Sequence, residues 1–339
     1  MRGRGQRVAR ESDWLMTAAH ERTHDRRAEI AAAAGDQGPQ HADMLTEMFT
    51  RQKTGSVVCA SCGSLVGVND EQCYSCGRRN PGLWGFGPVL RRLGNDMGFV
   101  TLVVYGCSIL YALTLIATVA LGGSVLSPGN LMNLLAPDTA VTLAFGASGE
   151  FPVFRQHMWW TLLSAGWLHG SALHILFNMM WVRQLGPATA EVYGAGRMVI
   201  IYTVASVTGF FLSSAAGALF PHMPVPFLRG ASLTLGASAP IFGLLGALVY
   251  YGRRSGSSMI GAQAKQYALV LFVFGLFMGG IDNYAHAGGF VGGYAAAIWL
   301  DPLKRERTDH LALAFGCLVA TALAILASLI KIGPQLLRA

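Results

Sequence analysis

The sequence predicts an all-α polytopic membrane protein with a small cysteine-built unit ahead of it. Three observations carry that expectation: an apolar composition, a series of long apolar runs, and an uneven distribution of arginine and lysine. Of 339 residues, 53% are hydrophobic and only 13% charged, and the mean hydropathy is +0.43. A chain of this kind has too little polar surface to cover itself in water. Crossing the hydrocarbon as a helix takes about 20 mostly apolar residues. Seven such stretches lie near residues 98–122, 168–186, 197–219, 237–252, 266–281, 283–300 and 310–332.

Basic residues between the spans set the orientation. With the amino end in the cytoplasm, the inner side collects Arg78, Arg79, Arg91, Arg92, Arg183, Arg197, Arg253, Arg254, Lys265, Lys304, Arg305 and Arg307. The outer side keeps Arg155, Arg229, Lys331 and Arg338. The net charge of +7 is then a signal of topology and of contact with the lipid bilayer, so no nucleic-acid partner is expected. The carboxyl terminus is expected outside.

Residues 1–54 are polar, charged and alanine-rich, with no apolar run long enough for a signal peptide, and predict a flexible cytosolic arm. Within it His20 to His24 spell HERTH. That matches a zinc-protease pattern but lacks an amphipathic helix and a third ligand, so it is taken as a chance match.

Residues 55–80 hold Cys59, Cys62, Cys73 and Cys76 in the pattern C-x2-C-x10-C-x2-C, with Gly63 and Gly77 after the two pairs. Two such knuckles let four thiolates converge on Zn²⁺, and the glycines permit the tight turns around the sulfurs. Two disulfides are the alternative, disfavoured on a reducing cytosolic side. The expectation is a zinc-ribbon-like domain with a structural zinc, because so small a unit buries too little apolar surface to fold unaided. Its partner is unknown. Cys107 and Cys317 fall in predicted spans and suit small core residues.

Polar side chains at membrane depth are functional candidates, because a hydroxyl or imidazole in lipid is costly without a partner. Ser238, in GASAPIFG, and His286, in AHAGGFVGG, both lie near the outer ends of their segments. Pro240 fits the first turn of a helix, which places the helix start at Ser238. Free N–H groups there suit an oxyanion. Ala239, Gly243 and Gly246 form a small-residue stripe, as do Gly288 with Gly292 and Gly289 with Gly293. Such stripes let two membrane helices approach until an imidazole reaches a serine hydroxyl. A third constellation, residues 159–180, puts His174 and Asn178 on one helix face as paired donors, with His169 near the outer end.

Taken together, His169, His174, Asn178, the GxSx serine and the AHxxGxxxG segment make residues 98–300 resemble a rhomboid intramembrane serine protease. The resemblance implies a six-helix bundle, here residues 98–303, after a linker at 81–97 and before a seventh helix and tail at 304–339. It implies Ser238 as nucleophile and His286 as general base, with no catalytic cofactor. His174 and Asn178 would join the Ser238 N–H in an oxyanion hole. Gly236 would form the turn before the serine and Phe242 would pack on the imidazole. His169, Gly288 and Gly292 are supporting candidates. Substrates would be transmembrane proteins with weak helix formers in their outer segments, and the membrane a bacterial plasma membrane.

Three departures stand out: GASA in place of GxSG, Trp160-Thr161 in place of a tryptophan-arginine pair, and a second serine motif, GASG, at 146–149. Ser148 is rejected as nucleophile because no apolar helix follows it. Asp282, four residues before His286, is read as a helix cap. The rival readings are an inactive rhomboid-like protein that binds client helices, a transporter, and an intramembrane zinc hydrolase using His169, His174 and His286.

Overall fold

The structure, a computed structural model, describes residues 51–59, 63–88, 94–126, 133–223, 230–278 and 280–337. The HERTH segment and Cys62 lie outside the described residues, as do Arg91, Arg92, Arg229 and Arg338.

A two-stranded antiparallel hairpin opens the described chain, β1 (Ser56–Val58) against β2 (Leu65–Gly67), with Val57 opposite Val66. Val57, Val66, Val68, Cys59 and Cys73 form its core. This little unit takes in residues on both sides of 55–80. Gln52 N–H donates to Gly85 O at 3.0 Å, and a side chain at Gly82 would collide with Val57.

Long helices follow: α1 (Phe99–Ala120), α2 (Ala172–Tyr193), α3 (Ala195–Leu219), α4 (Ser238–Ser255), α5 (Ser258–Phe277), α6 (Asn283–Leu300) and α7 (Thr308–Leu336). Among the described residues α1, α3, α5 and α7 are long and apolar enough to cross a membrane by length and composition. The segments read as spans at 168–186, 237–252 and 283–300 became α2, α4 and α6, whose glycines, histidines and arginines dilute their apolar character. Two boundaries moved. The α2 helix passes through Pro187, since neighbouring helices can re-satisfy the freed backbone groups. The α5 helix starts at Ser258, ahead of Lys265.

The long apolar side chains on α1, α5 and α7 face outward, among them Ile116, Val270 and Ile330. Apolar surface on this scale needs an apolar medium, and a bilayer is the one that fits. This is an integral, multi-pass membrane protein.

At the centre stands α4, buried without interruption from Ala239 to Val249 and apolar all round, as an enclosed helix must be. Around it pack α6, α5 and α3, with α6 the most extensive neighbour. One end of the bundle gathers the start of α3 and the end of α6. There the buried Arg197 guanidinium donates through Nη1 to the carbonyls of Leu300, Asp301 and Lys304 at 3.0, 2.9 and 2.8 Å. The Glu306 carboxylate accepts from Arg197 N–H at 2.9 Å. Burial raises the Glu306 carboxyl above its usual value, and the Arg197 backbone N–H and guanidinium oppose that shift. At the opposite end, α7 reaches the chain between α1 and α2. Trp160 Nε1 donates to Ser328 Oγ at 2.9 Å, and Lys331 Nζ lies 5.5 Å from the Trp160 ring centroid while donating to Gln156 O at 2.5 Å.

Candidate active site

The turn before α4 is built on Gly236, whose φ of +128° favours glycine. Its N–H donates to Ala165 O at 2.9 Å. Ser238 opens α4, and Ala237 ahead of it supplies no side-chain cap. The first N–H groups of the helix therefore meet no capping side chain, and Pro240 has none to leave unpaired. The positive end of the helix dipole lies at a half-buried serine.

Close helix crossing brings α6 alongside. Side chains at Gly289 and Gly293 would strike the backbone of Ala239 and Gly243, whereas Gly288 and Gly292 abut Thr208 on α3. Neighbouring stripes on one helix thus serve two different partners, because consecutive residues point about 100° apart. His286 is 6% exposed, and its ring stacks on Phe242 with centroids 4.2 Å apart and planes at 14°. Phe242 follows Ser238 by four residues and shares its helix face, so the stack sets the imidazole beside the first turn of α4. His286 Nδ1 meets no hydrogen-bond partner among the described residues; serine–histidine pairs are often loose before substrate arrives.

Asp282 caps α6, accepting from Ala285 N–H at 3.0 Å, and its other oxygen accepts from the Ser213 hydroxyl. Both oxygens are therefore engaged away from His286.

On α2, Ser171 caps the helix by accepting from His174 N–H at 3.3 Å. Gly170 N–H donates to His174 Nδ1 at 3.3 Å, so the imidazole proton belongs on Nε2. That atom faces Gly236, where a Cβ would lie 2.5 Å from Nε2 and 3.8 Å from Asn178 Nδ2. Asn178 spends one N–H on His174 O at 2.9 Å and keeps a second. Two donors thus border the turn that leads into Ser238. His169 is 1% exposed and meets the His174 ring edge-on at 5.1 Å.

Ser148 is fully buried. It pairs with Thr234 through the backbone, and its hydroxyl accepts from Thr161 Oγ1 at 3.3 Å. The roles of Gly170 in fixing the His174 tautomer and of Ser328 in holding Trp160 carried no signal in the sequence beyond their residue types.

In the hairpin unit, the Cys59, Cys73 and Cys76 sulfurs lie within 4.8 Å of one another and can hold a metal ion. Gly63 N–H donates to Cys59 O at 3.1 Å and Gly77 N–H to Cys73 O at 2.9 Å. Both glycines take positive φ, 76° and 73°, which forms the two knuckles.

Fold and site define a polytopic helical membrane protein with polar groups from three helices gathered at one end. More narrowly, residues 156–302 match the profile of the Rhomboid domain family. It is 33% identical over 192 residues to Rhomboid protease GluP of Bacillus subtilis, covering 56% of this chain and 35% of that protein. To Rhomboid protease GlpG of Pectobacterium atrosepticum it is 31% identical over 176 residues, covering 50% and 57%. RHOMBOID-like protein 4 of Arabidopsis thaliana is 29% identical over 165 residues, covering 48% and 39%. The chain thus spans less than two thirds of the length of each of these relatives.

Proposed function

We propose that this protein is a serine endopeptidase of the rhomboid type that hydrolyses peptide bonds in or near transmembrane segments of membrane proteins. The observation that carries the reading is the meeting at one end of the bundle of the α4 start, the Phe242–His286 stack and the donors His174 and Asn178. Ser238 Oγ attacks the substrate carbonyl carbon while His286 takes the hydroxyl proton. The oxyanion accepts from Ser238 N–H, His174 Nε2–H and the free Asn178 N–H. Collapse breaks the C–N bond, and His286 returns the proton to the leaving amine. Water then attacks the acyl-serine with His286 again as base, releasing the acid and restoring Ser238.

Cys59, Cys73 and Cys76, joined by Cys62, hold one structural Zn²⁺ in this reading. The end of the bundle with Arg197, Arg254 and Lys304 faces the cytosol of a bacterium, with the amino terminus, and the Ser238 end faces outward.

The test is incubation of the purified protein with a generic transmembrane substrate. Wild type is expected to cut it, with cleavage abolished by Ser238→Ala or His286→Ala and the double variant hardly worse than either. A fluorophosphonate probe should label Ser238, and Ser148→Ala should stay active. Labelling at Ser148 would overturn the assignment.

A further inference from the structure

Where α6 ends and α7 begins, a cavity of about 320 Å³ is lined by Trp299, Lys304, Arg305, Arg307, His310 and Leu313, among others. The connecting segment is charge-balanced along the chain but not in space. Asp301 turns inward, 15% exposed and 3.5 Å from Arg254, and Glu306 caps the start of α3. Lys304 is 81% exposed and Arg307 74%. Arg305 is exposed too. The three carbonyls gripped by Arg197 hold this backbone in place, so the basic side chains stand on a fixed frame. Beside them Trp299 is 71% and Leu313 46% exposed, apolar surface at the level where a membrane-spanning helix leaves the hydrocarbon.

We propose that this cavity holds the headgroup of an anionic phospholipid, its phosphate against Lys304, Arg305 and Arg307 and its first acyl carbons along Trp299 and Leu313. The pairing of clustered cations with an apolar wall favours a lipid over a free anion, which has no use for the wall. Two acids compete for the site: Asp309, 2.9 Å from Arg307, and Asp301, 3.9 Å from Lys304.

Full-length protein reconstituted in phosphatidylcholine vesicles with a minority of phosphatidylglycerol tests this. After mild detergent extraction, retained lipid should be enriched in phosphatidylglycerol over the bulk ratio. Arg305→Gln with Arg307→Gln should lower that enrichment several-fold, because each removes a cation that attracts the anionic headgroup. Arg253→Gln with Lys265→Gln, removing the same charge outside the cavity, should leave it nearly intact. Asp309→Asn should raise it, which keeps the test decisive if the double cavity variant folds poorly. Equal losses in both double variants, no gain in Asp309→Asn, or complete displacement of the lipid by inorganic phosphate would overturn the proposal.

Discussion

Phe242 and His286 lie face to face, 4.2 Å between ring centroids, and in the proposed mechanism that contact orients the imidazole. Asp282 is committed to capping α6 and to Ser213, which leaves the stack to orient the ring. Replacing Phe242 by alanine should lower turnover about two- to ten-fold, the range for an aromatic pair. Phe242→Tyr should restore most of it. Steady-state kinetics on a transmembrane substrate decide the matter; unchanged kcat in Phe242→Ala would remove the orienting role.

Gly236→Ala combines two penalties, a positive φ and a Cβ forced to within 2.5 Å of His174 Nε2. Strain of this kind costs about 1–3 kcal/mol. Turnover should fall at least as far as in Asn178→Ala, for which about ten- to a hundred-fold is expected at a hydrated site. A variant with full activity would show that the turn is free to rearrange and that His174 need not face it.

Trp160 and Ser328 should be energetically coupled. Their hydrogen bond is worth about 0.5–1.5 kcal/mol, so Trp160→Phe and Ser328→Ala should each reduce activity or melting temperature, and the pair together by less than the sum. Additive effects in that double-mutant cycle would mean the contact contributes nothing.

Metal analysis of purified protein should return one zinc per chain, lost in Cys59→Ser with Cys76→Ser. Zinc content unaffected by those substitutions would sink the cysteine site.

The order of the helices and the placement of Ser238, His286, His174 and Asn178 were legible because each is a polar interruption of an apolar run, a local pattern. What connects distant segments was not. Nothing near Gly288 tells that its stripe meets Thr208 while Gly289 meets Ala239, since that depends on which helix lies on which side. The extension of the hairpin unit to Gln52 and Gly85 escaped for the same reason. The span read near 168–186 runs on through Pro187 to Tyr193, past the end of its apolar run.

The grip of α7 on Trp160 also has a place in time. Trp160 leads through Thr161–Ser164 to Ala165, whose carbonyl accepts the Gly236 N–H, so the chain of contacts runs from Ser328 to the turn before the serine. Ser328 leaves the ribosome after every one of those residues. A nascent chain holds Ser238 and His286 before it holds that anchor, and the segment around Trp160 is fastened from this side only once α7 has been made. Fastening of the turn before Ser238 through Trp160 therefore waits on the synthesis of α7.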